Sequence, residues 1–221
     1  MELKRFKVLA IAVPLFIGIT YLLAWSPVFA VKEISVVGLP ATISEQYLIA
    51  KSQIVKGNQL ARIEPRSIER KLEEIFWIES ASLSRNWISG SVDISISPRV
   101  PVGIFQGRAL DSDGILFDFP GQIPKGLPLV RASSTELGLE AIALFTSLPQ
   151  DFRDSLLSIS ASNSSSISSW QNFDGRKIKV QWGTAKDISL KVSVYRALMA
   201  LPENKNIKRV DLSAPHAPIV K

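Results

Sequence analysis

The chain has 221 residues, 46% of them hydrophobic and 21% charged, with a net charge of +6. That length suffices for one large or two small domains with cores of their own. Cysteine is absent, which excludes disulfides and any thiolate nucleophile or metal ligand.

Reading from the N-terminus, Val8 to Trp25 is eighteen residues without a charge, preceded by Lys4, Arg5 and Lys7 and followed by none until Lys32. At ~1.5 Å per residue a helix of this length reaches roughly 27 Å, close to the ~30 Å apolar core of a bilayer. The basic cluster marks the cytoplasmic end, and Tyr21 and Trp25 sit where aromatic rings favour the far interface. The expectation is a membrane anchor that includes Val8, Leu15, Tyr21 and Trp25, with everything after it extracytoplasmic. The alternative is a cleaved secretory signal, because Val28-Phe29-Ala30 has the small-x-small pattern of a signal-peptidase site. That compartment excludes nucleic acid as a partner. The positive excess is concentrated late: Arg176 to Lys221 holds ten Lys/Arg and three Asp/Glu.

From Val31 the pattern alternates up to Val37, and Gly38-Leu39-Pro40 ends a short strand. Thr42-Ile43-Ser44-Glu45 has the spacing of a capping box opening a two-turn helix. Pro65 occupies a first-turn position, and Ile68, Leu72 and Ile75 define a second helix with Arg66, Glu69, Arg70 and Glu73 outside. Ala81 to Trp87 and Val92 to Ile96 alternate as two strands joined at Ser89-Gly90 and stopped by Pro98. The order is β-α-α-β-β.

The second half reads mostly as strands, at Pro101–Phe105, Ala109–Asp111, Gly114–Phe117 and Leu127–Val130. Leu137 to Leu148 has helical spacing. Ser158 to Ser169, with eight serines in twelve residues, reads as the tip of a hairpin. Ile178, Val180 and Trp182 alternate after the Asp174-Gly175 turn. Ile188 to Leu201 is the strongest helix of this half, and strand-like pieces at Lys205–Leu212 and Ala217–Val220 close the chain.

Little here suggests catalysis. The one histidine, His216, lies between Pro215 and Pro218. No G-x-S-x-G, H-E-x-x-H or phosphate-cradling glycine loop is present. Asp111-Ser112-Asp113-Gly114 resembles part of a calcium loop but lacks the remaining ligands, so a tight turn is expected. Glu73-Glu74 falls on a solvent-facing helix side. Trp77, Trp87, Trp170 and Trp182 are expected to pack in the cores. No cofactor and no small-molecule substrate is implied.

The ordered set of local patterns resembles the FtsQ/DivIB family of bacterial cell-division proteins. Phe29-Ala-Val-Lys-Glu-Ile-Ser-Val-Val-Gly38 resembles the family's opening strand, Gly57-Asn-Gln-Leu60 its central turn and Ala81-Ser-Leu-Ser-Arg85 its second strand. Val92-Asp-Ile-Ser-Ile-Ser-Pro-Arg-Val-Pro-Val102 is similar to the junction V-x-I-x-V-x-E-R-x-P-V, with Pro98 in place of the glutamate. Leu110-Asp-Ser-Asp-Gly114, Asp174-Gly175, Trp182-Gly183, Lys191 and Val210-Asp211-Leu212 resemble later landmarks.

The resemblance implies an α+β chain. Residues 1–7 would be a cytoplasmic tail, 8–28 a single transmembrane helix, 29–98 a POTRA domain and 99–221 a mostly antiparallel β domain with flanking helices. It implies a non-enzymatic, essential-type, bitopic divisome scaffold at the septum of the inner membrane. Such a scaffold would recruit and regulate FtsB/DivIC-type and FtsL-type partners and link them to septal peptidoglycan synthesis. By the same resemblance, a final edge strand would pair with the FtsB-type partner, with Lys208, Val210, Asp211, Leu212, Ala214, Ile219 and Val220 as the site. β-Strand addition to a free edge is its physical basis. The rival readings are a POTRA-containing envelope protein of secretion or assembly, a secreted protein with a cleaved signal, and an enzyme with an unrecognised site.

Overall fold

The computed structural model describes the backbone of residues 2–25 and 27–221 and the side chains of 10–21 and 28–221. Helix α1 spans Glu2–Trp25, with Pro14 inside it. Its side chains from Ala10 to Tyr21 are all exposed, Leu15 included. Thr20 returns its hydroxyl proton to the Phe16 carbonyl (2.8 Å), so the helix satisfies its own polar side chain. Among the described residues no helix is long and apolar enough to cross a membrane. The side chains of Val8 and Trp25 lie outside the described residues.

The chain forms two compact units, which meet in sequence at Arg99 and Val100, with α1 in the first. In the first, β1 (Glu33–Val37), α2 (Glu45–Ser52), α3 (Pro65–Glu73), β2 (Ile78–Asn86) and β3 (Ser91–Pro98) follow in order. The sheet order is β1-β3-β2, with β1 parallel and β2 antiparallel to the central β3. A parallel pair needs a crossover, and α2 and α3 lie in it. Leu48, Leu60, Leu72, Ile78, Val92 and Ile94 are fully buried. Gly38 leaves β1 at φ +84°, and a Cβ there would overlap the Ile96 carbonyl. The α2 cap is Ser44, which accepts the Tyr47 N–H, rather than Thr42.

That shift frees Glu45 for another task, because its Oε1 accepts the Val36 N–H on the outer edge of β1 (2.9 Å). On the other edge, Glu69 accepts the Leu83 N–H (2.8 Å) and Glu73 the Ala81 N–H (3.1 Å) of β2. Glu73 is exposed, as expected, and Glu69 half-buried, and both carboxylates also bond the sheet edge. Their carboxylates occupy backbone donors that would otherwise template another strand.

The second unit contains β4 (Gly103–Phe105), β5 (Arg108–Leu110), β6 (Leu116–Phe117), β7 (Leu129–Ala132), α4 (Thr135–Ser147) and α5 (Gln150–Ser155). It continues with β8 (Leu156–Ala161), β9 (Ile167–Phe173), β10 (Arg176–Gly183), α6 (Ile188–Ala200), β11 (Arg209–Asp211) and β12 (Ile219–Val220). One sheet orders them β12-β11-β10-β9-β8-β7-β4-β5-β6. The sheet is mixed: β10 with β11, β7 with β8 and β4 with β7 are parallel, and the other five pairings are antiparallel. Val130, Ile159, Ile167, Ile178, Val180 and Trp182 join residues of α4, α5 and α6 in one core.

The serine-rich stretch is a hairpin joining β8 to β9, closed where Ser162 N–H donates to the Ser166 carbonyl (3.1 Å). Asp111 forms the expected tight turn, its Oδ1 accepting the N–H groups of Asp113 (3.0 Å) and Ile115 (2.7 Å). Two tryptophans correct the core expectation. Trp77 and Trp182 are buried, but Trp87 is 38% and Trp170 41% exposed. Trp87 instead carries the Arg85 guanidinium over its ring at 5.5 Å. Trp170 sits opposite Ser158 and Lys179 on the uncovered side of the sheet, where strand periodicity alone cannot tell a covered face from an open one.

Candidate partner-binding edge

The last strands are held in place from beneath. Trp182, at the end of β10, is fully buried and donates its indole N–H to Ser169 Oγ (2.8 Å). Phe152 meets it edge-on at 6.1 Å. Lys191 on α6 is only 2% exposed and donates its Nζ protons to the carbonyls of Trp182 (2.7 Å) and Thr184 (2.8 Å). Burial pushes the Lys191 pKa down, and the negative charge of Asp187 opposes that shift. The buried ammonium thus clamps the turn leaving β10 onto α6. Gly183 follows at φ +72°, where a Cβ would press on Ser213 at 3.1 Å.

β11 runs parallel to β10, pairing Lys179 with Arg209, Val180 with Val210 and Gln181 with Asp211. Leu212 N–H donates to the Gln181 carbonyl (2.7 Å), and Asp211 Oδ1 accepts the Ser213 N–H (3.0 Å) to begin the turn. A second turn, Ala217 N–H to the Ala214 carbonyl (2.9 Å), returns the chain as β12. β12 is antiparallel to β11, with Val220 opposite Val210 and Ile219 opposite Asp211.

The hydrogen-bond pattern defines which groups remain open. Arg209 and Lys221 exchange both backbone bonds at 3.0 Å, so they form a bonded pair and Val210–Val220 the intervening unbonded pair. In an antiparallel ladder the N–H and C=O of such a residue point away from its partner strand. Val220 therefore presents both groups outward at the end of the sheet. Pro218, just before the strand, brings no N–H, as suits an edge.

The seven residues expected for this site are brought together in two adjacent strands and their turn, but they do different jobs. Val210 and Leu212 are fully buried and hold the edge from the core side. β11 lies inside the sheet, between β10 and β12, so it is β12 that ends the sheet. Lys208, Ala214 and Ile219 are exposed, Ile219 at 56%, and Asp211 and Val220 are half-buried. Arg209 and Lys221, outside the seven, hold β12 through their backbone, in a register that no residue pattern states. Their exposed cations, with Lys208, outweigh the one carboxylate of Asp211, which lies 4.0 Å from Arg209. Among the described residues no group of three or more His, Cys, Asp or Glu is placed to hold a metal.

Residues 29–99 match the POTRA domain of FtsQ type, and residues 99–213 match the C-terminal domain described as cell division protein FtsQ/DivIB. β12 lies beyond the second match. The chain is similar to cell division protein FtsQ of Streptomyces bingchenggensis (strain BCW-1), 30% identical over 92% of this chain and 80% of the relative. It is 24% identical to FtsQ of Streptomyces collinus over 97% of this chain and 88% of the relative. It is 26% identical to FtsQ of Mycolicibacterium smegmatis over 94% of this chain but only 62% of that longer relative. Two domain matches in the family's order, together with a relative aligned along most of both chains, establish that the chain belongs to the FtsQ/DivIB family of cell-division proteins.

Proposed function

We infer that the protein is a non-enzymatic, membrane-anchored scaffold of the division complex, and that β12 takes a strand from an FtsB/DivIC-type partner. The observation that carries this reading is the contrast between the sheet edges. In the first unit the carboxylates of Glu45, Glu69 and Glu73 occupy outward N–H groups of β1 and β2. At β12, Val220 keeps its outward N–H and C=O open. Strand addition would use those groups, and Lys208, Arg209 and Lys221 favour an acidic partner segment. Ile219 supplies an apolar contact beside them. An FtsL-type protein would join through the same assembly, which would pass regulation to septal peptidoglycan synthesis.

α1 serves as the anchor in this reading. It has 24 residues, its stretch from Val8 to Trp25 is uncharged, and its apolar side chains are exposed on every side from Ala10 to Tyr21. A fluorescent fusion of the full chain, expressed while the native copy is depleted, tests the function. Midcell recruitment and rescue of filamentous cells are the expected result. Dispersed fluorescence with normal septation after depletion would refute it.

A further inference from the structure

The pairing of β1 with β3 decides which end of the first unit lies next to where α1 stops. The two strands are parallel, with Glu33 opposite Ser91, so both start at the same end of the sheet. The chain arrives there from α1 through a 3-10 turn, Pro27–Phe29. β2 finishes there too, at Asn86, and the turn 87–90 joins it to β3. Lys32 N–H donates to the Gly90 carbonyl (2.9 Å), and Phe29 meets the Trp87 ring edge-on at 6.1 Å. A second turn is tied to the same segment: Val31 N–H donates to the Asn58 carbonyl, and Gly57 N–H to the Val31 carbonyl, both at 2.8 Å. Phe29 lies four residues beyond Trp25, a reach of at most about 14 Å.

This end of the sheet gathers apolar side chains and cations. Ile88, at the tip of the turn, is 95% exposed, and Val28 and Val55 are 64% and 62% exposed. Lys32 and Lys56 are exposed. The Lys32 stem lies over Gly90, where a Cβ would meet its Cγ at 3.0 Å. Arg85 is fixed behind the tip: it donates to the carbonyls of Leu60 (2.9 Å) and Ile63 (2.8 Å), and its guanidinium lies over the Trp87 ring. Segments 26–32, 55–59 and 86–90 contain no Asp or Glu. The turn itself is held by Asn86, whose Oδ1 accepts the N–H groups of Ile88 (3.0 Å) and Ser89 (3.1 Å). The fold therefore uses the backbone of Ile88 and leaves its side chain to the surroundings.

Exposed apolar residues scattered singly need no explanation, but here they collect at one end, among cations and without carboxylates. That composition suits a bilayer interface. Indole rings favour the headgroup level, and lysine stems cover apolar surface while their ammonium groups reach anionic headgroups. We propose that the turn 87–90, with Val28, Val55, Lys32 and Lys56, is a foot that sets the first unit on an anionic lipid surface. This rests on the reading of α1 as the anchor, which brings the surface within reach. The foot adds a second contact, so the unit stands on the bilayer in a fixed orientation rather than swinging from its tether.

The chain has no cysteine, so a single introduced one takes a spin label uniquely. Full chains carrying Ser89→Cys beside the tip, Ser97→Cys near the other end of β3, or Leu15→Cys within α1 are placed in nanodiscs of phosphatidylethanolamine and phosphatidylglycerol, one chain to a disc. Power saturation then reads the access of a water-soluble nickel chelate to each label. Two lysines at an anionic surface favour contact by more than about tenfold, so the Ser89 label should be at least about fivefold less accessible than the Ser97 label. Ile88→Asp, or Lys32→Gln with Lys56→Gln, should return the Ser89 label to the Ser97 level while the circular-dichroism melt stays native-like. Leaving out phosphatidylglycerol should raise its access at least about twofold. A Ser89 label as accessible as the Ser97 label, with the Leu15 label shielded, would overturn the foot and leave the anchor standing. Shielding unchanged by Ile88→Asp would overturn it equally. Chelate reaching the Leu15 label would overturn the anchor, and the foot with it.

Discussion

Replacing Val220 with proline separates the edge from the fold beneath it. The Val220 N–H points outward, and the bonds that hold β12 run through the flanking pairs Arg209–Lys221 and Ile219–Asp211. Proline therefore removes no donor that the folded chain uses, and Ile219, already extended, tolerates a following proline. A partner strand would lose one hydrogen bond to the missing N–H, and the ring carbons would hold its backbone too far away for the second bond to the Val220 carbonyl. At about 1 kcal/mol per bond this is roughly 2 kcal/mol, or about a 30-fold weaker Kd. The stability cost is confined to the half-buried valine side chain, about 1 kcal/mol, which lowers Tm by roughly 2–4 °C in a chain of this size. Biolayer interferometry of the full chain against the FtsB-type partner, alongside thermal melts, reads both quantities. Affinity within twofold of native, with the melt preserved, would refute strand addition at β12. Val210→Lys is the contrasting change. It places a cation at a fully buried position and should cost the β domain several kcal/mol, so lost binding in that variant would report unfolding.

Two further outcomes are expected. Changing Glu69 and Glu73 together to alanine uncovers the Leu83 and Ala81 N–H groups on the β2 edge. Sedimentation velocity should then show concentration-dependent association that is absent from the native chain; a monodisperse double variant would rule out edge protection as the role of these carboxylates. The second concerns pH. Tyr195 has a folded pKa of about 12 against an ordinary 10.0, so the unfolded chain gives up this proton first. Its contribution is fully present below pH 10 and is lost as pH rises towards 12, by at most about 2–3 kcal/mol. Denaturant titrations between pH 9 and 11 should show that decline, and Tyr195→Phe should flatten it.

Local pattern carried much of this fold. Alternation marked Ile178, Val180 and Trp182 as a strand with one buried side, and Pro65 fixed where α3 begins, because backbone geometry and side-chain periodicity act over a few neighbours. The ordered motifs also led to the family. What they could not supply was anything that depends on residues far apart in the chain. Glu69 and Glu73 have helix-surface spacing, and only the packing of α3 beside β2 turns their carboxylates onto its edge. Lys205–Leu212 and Ala217–Val220 both read as closing strand-like pieces, but which of them ends the sheet was settled only by β12 pairing outside β11. Phe152 and Tyr195 show no relation until α5 and α6 set their rings edge-on, 5.2 Å apart. Sequence alone thus determined the elements and the family. The register of β12 and the state of each sheet edge were decided by tertiary structure, because a hydrogen bond's partner is chosen by what packs beside it.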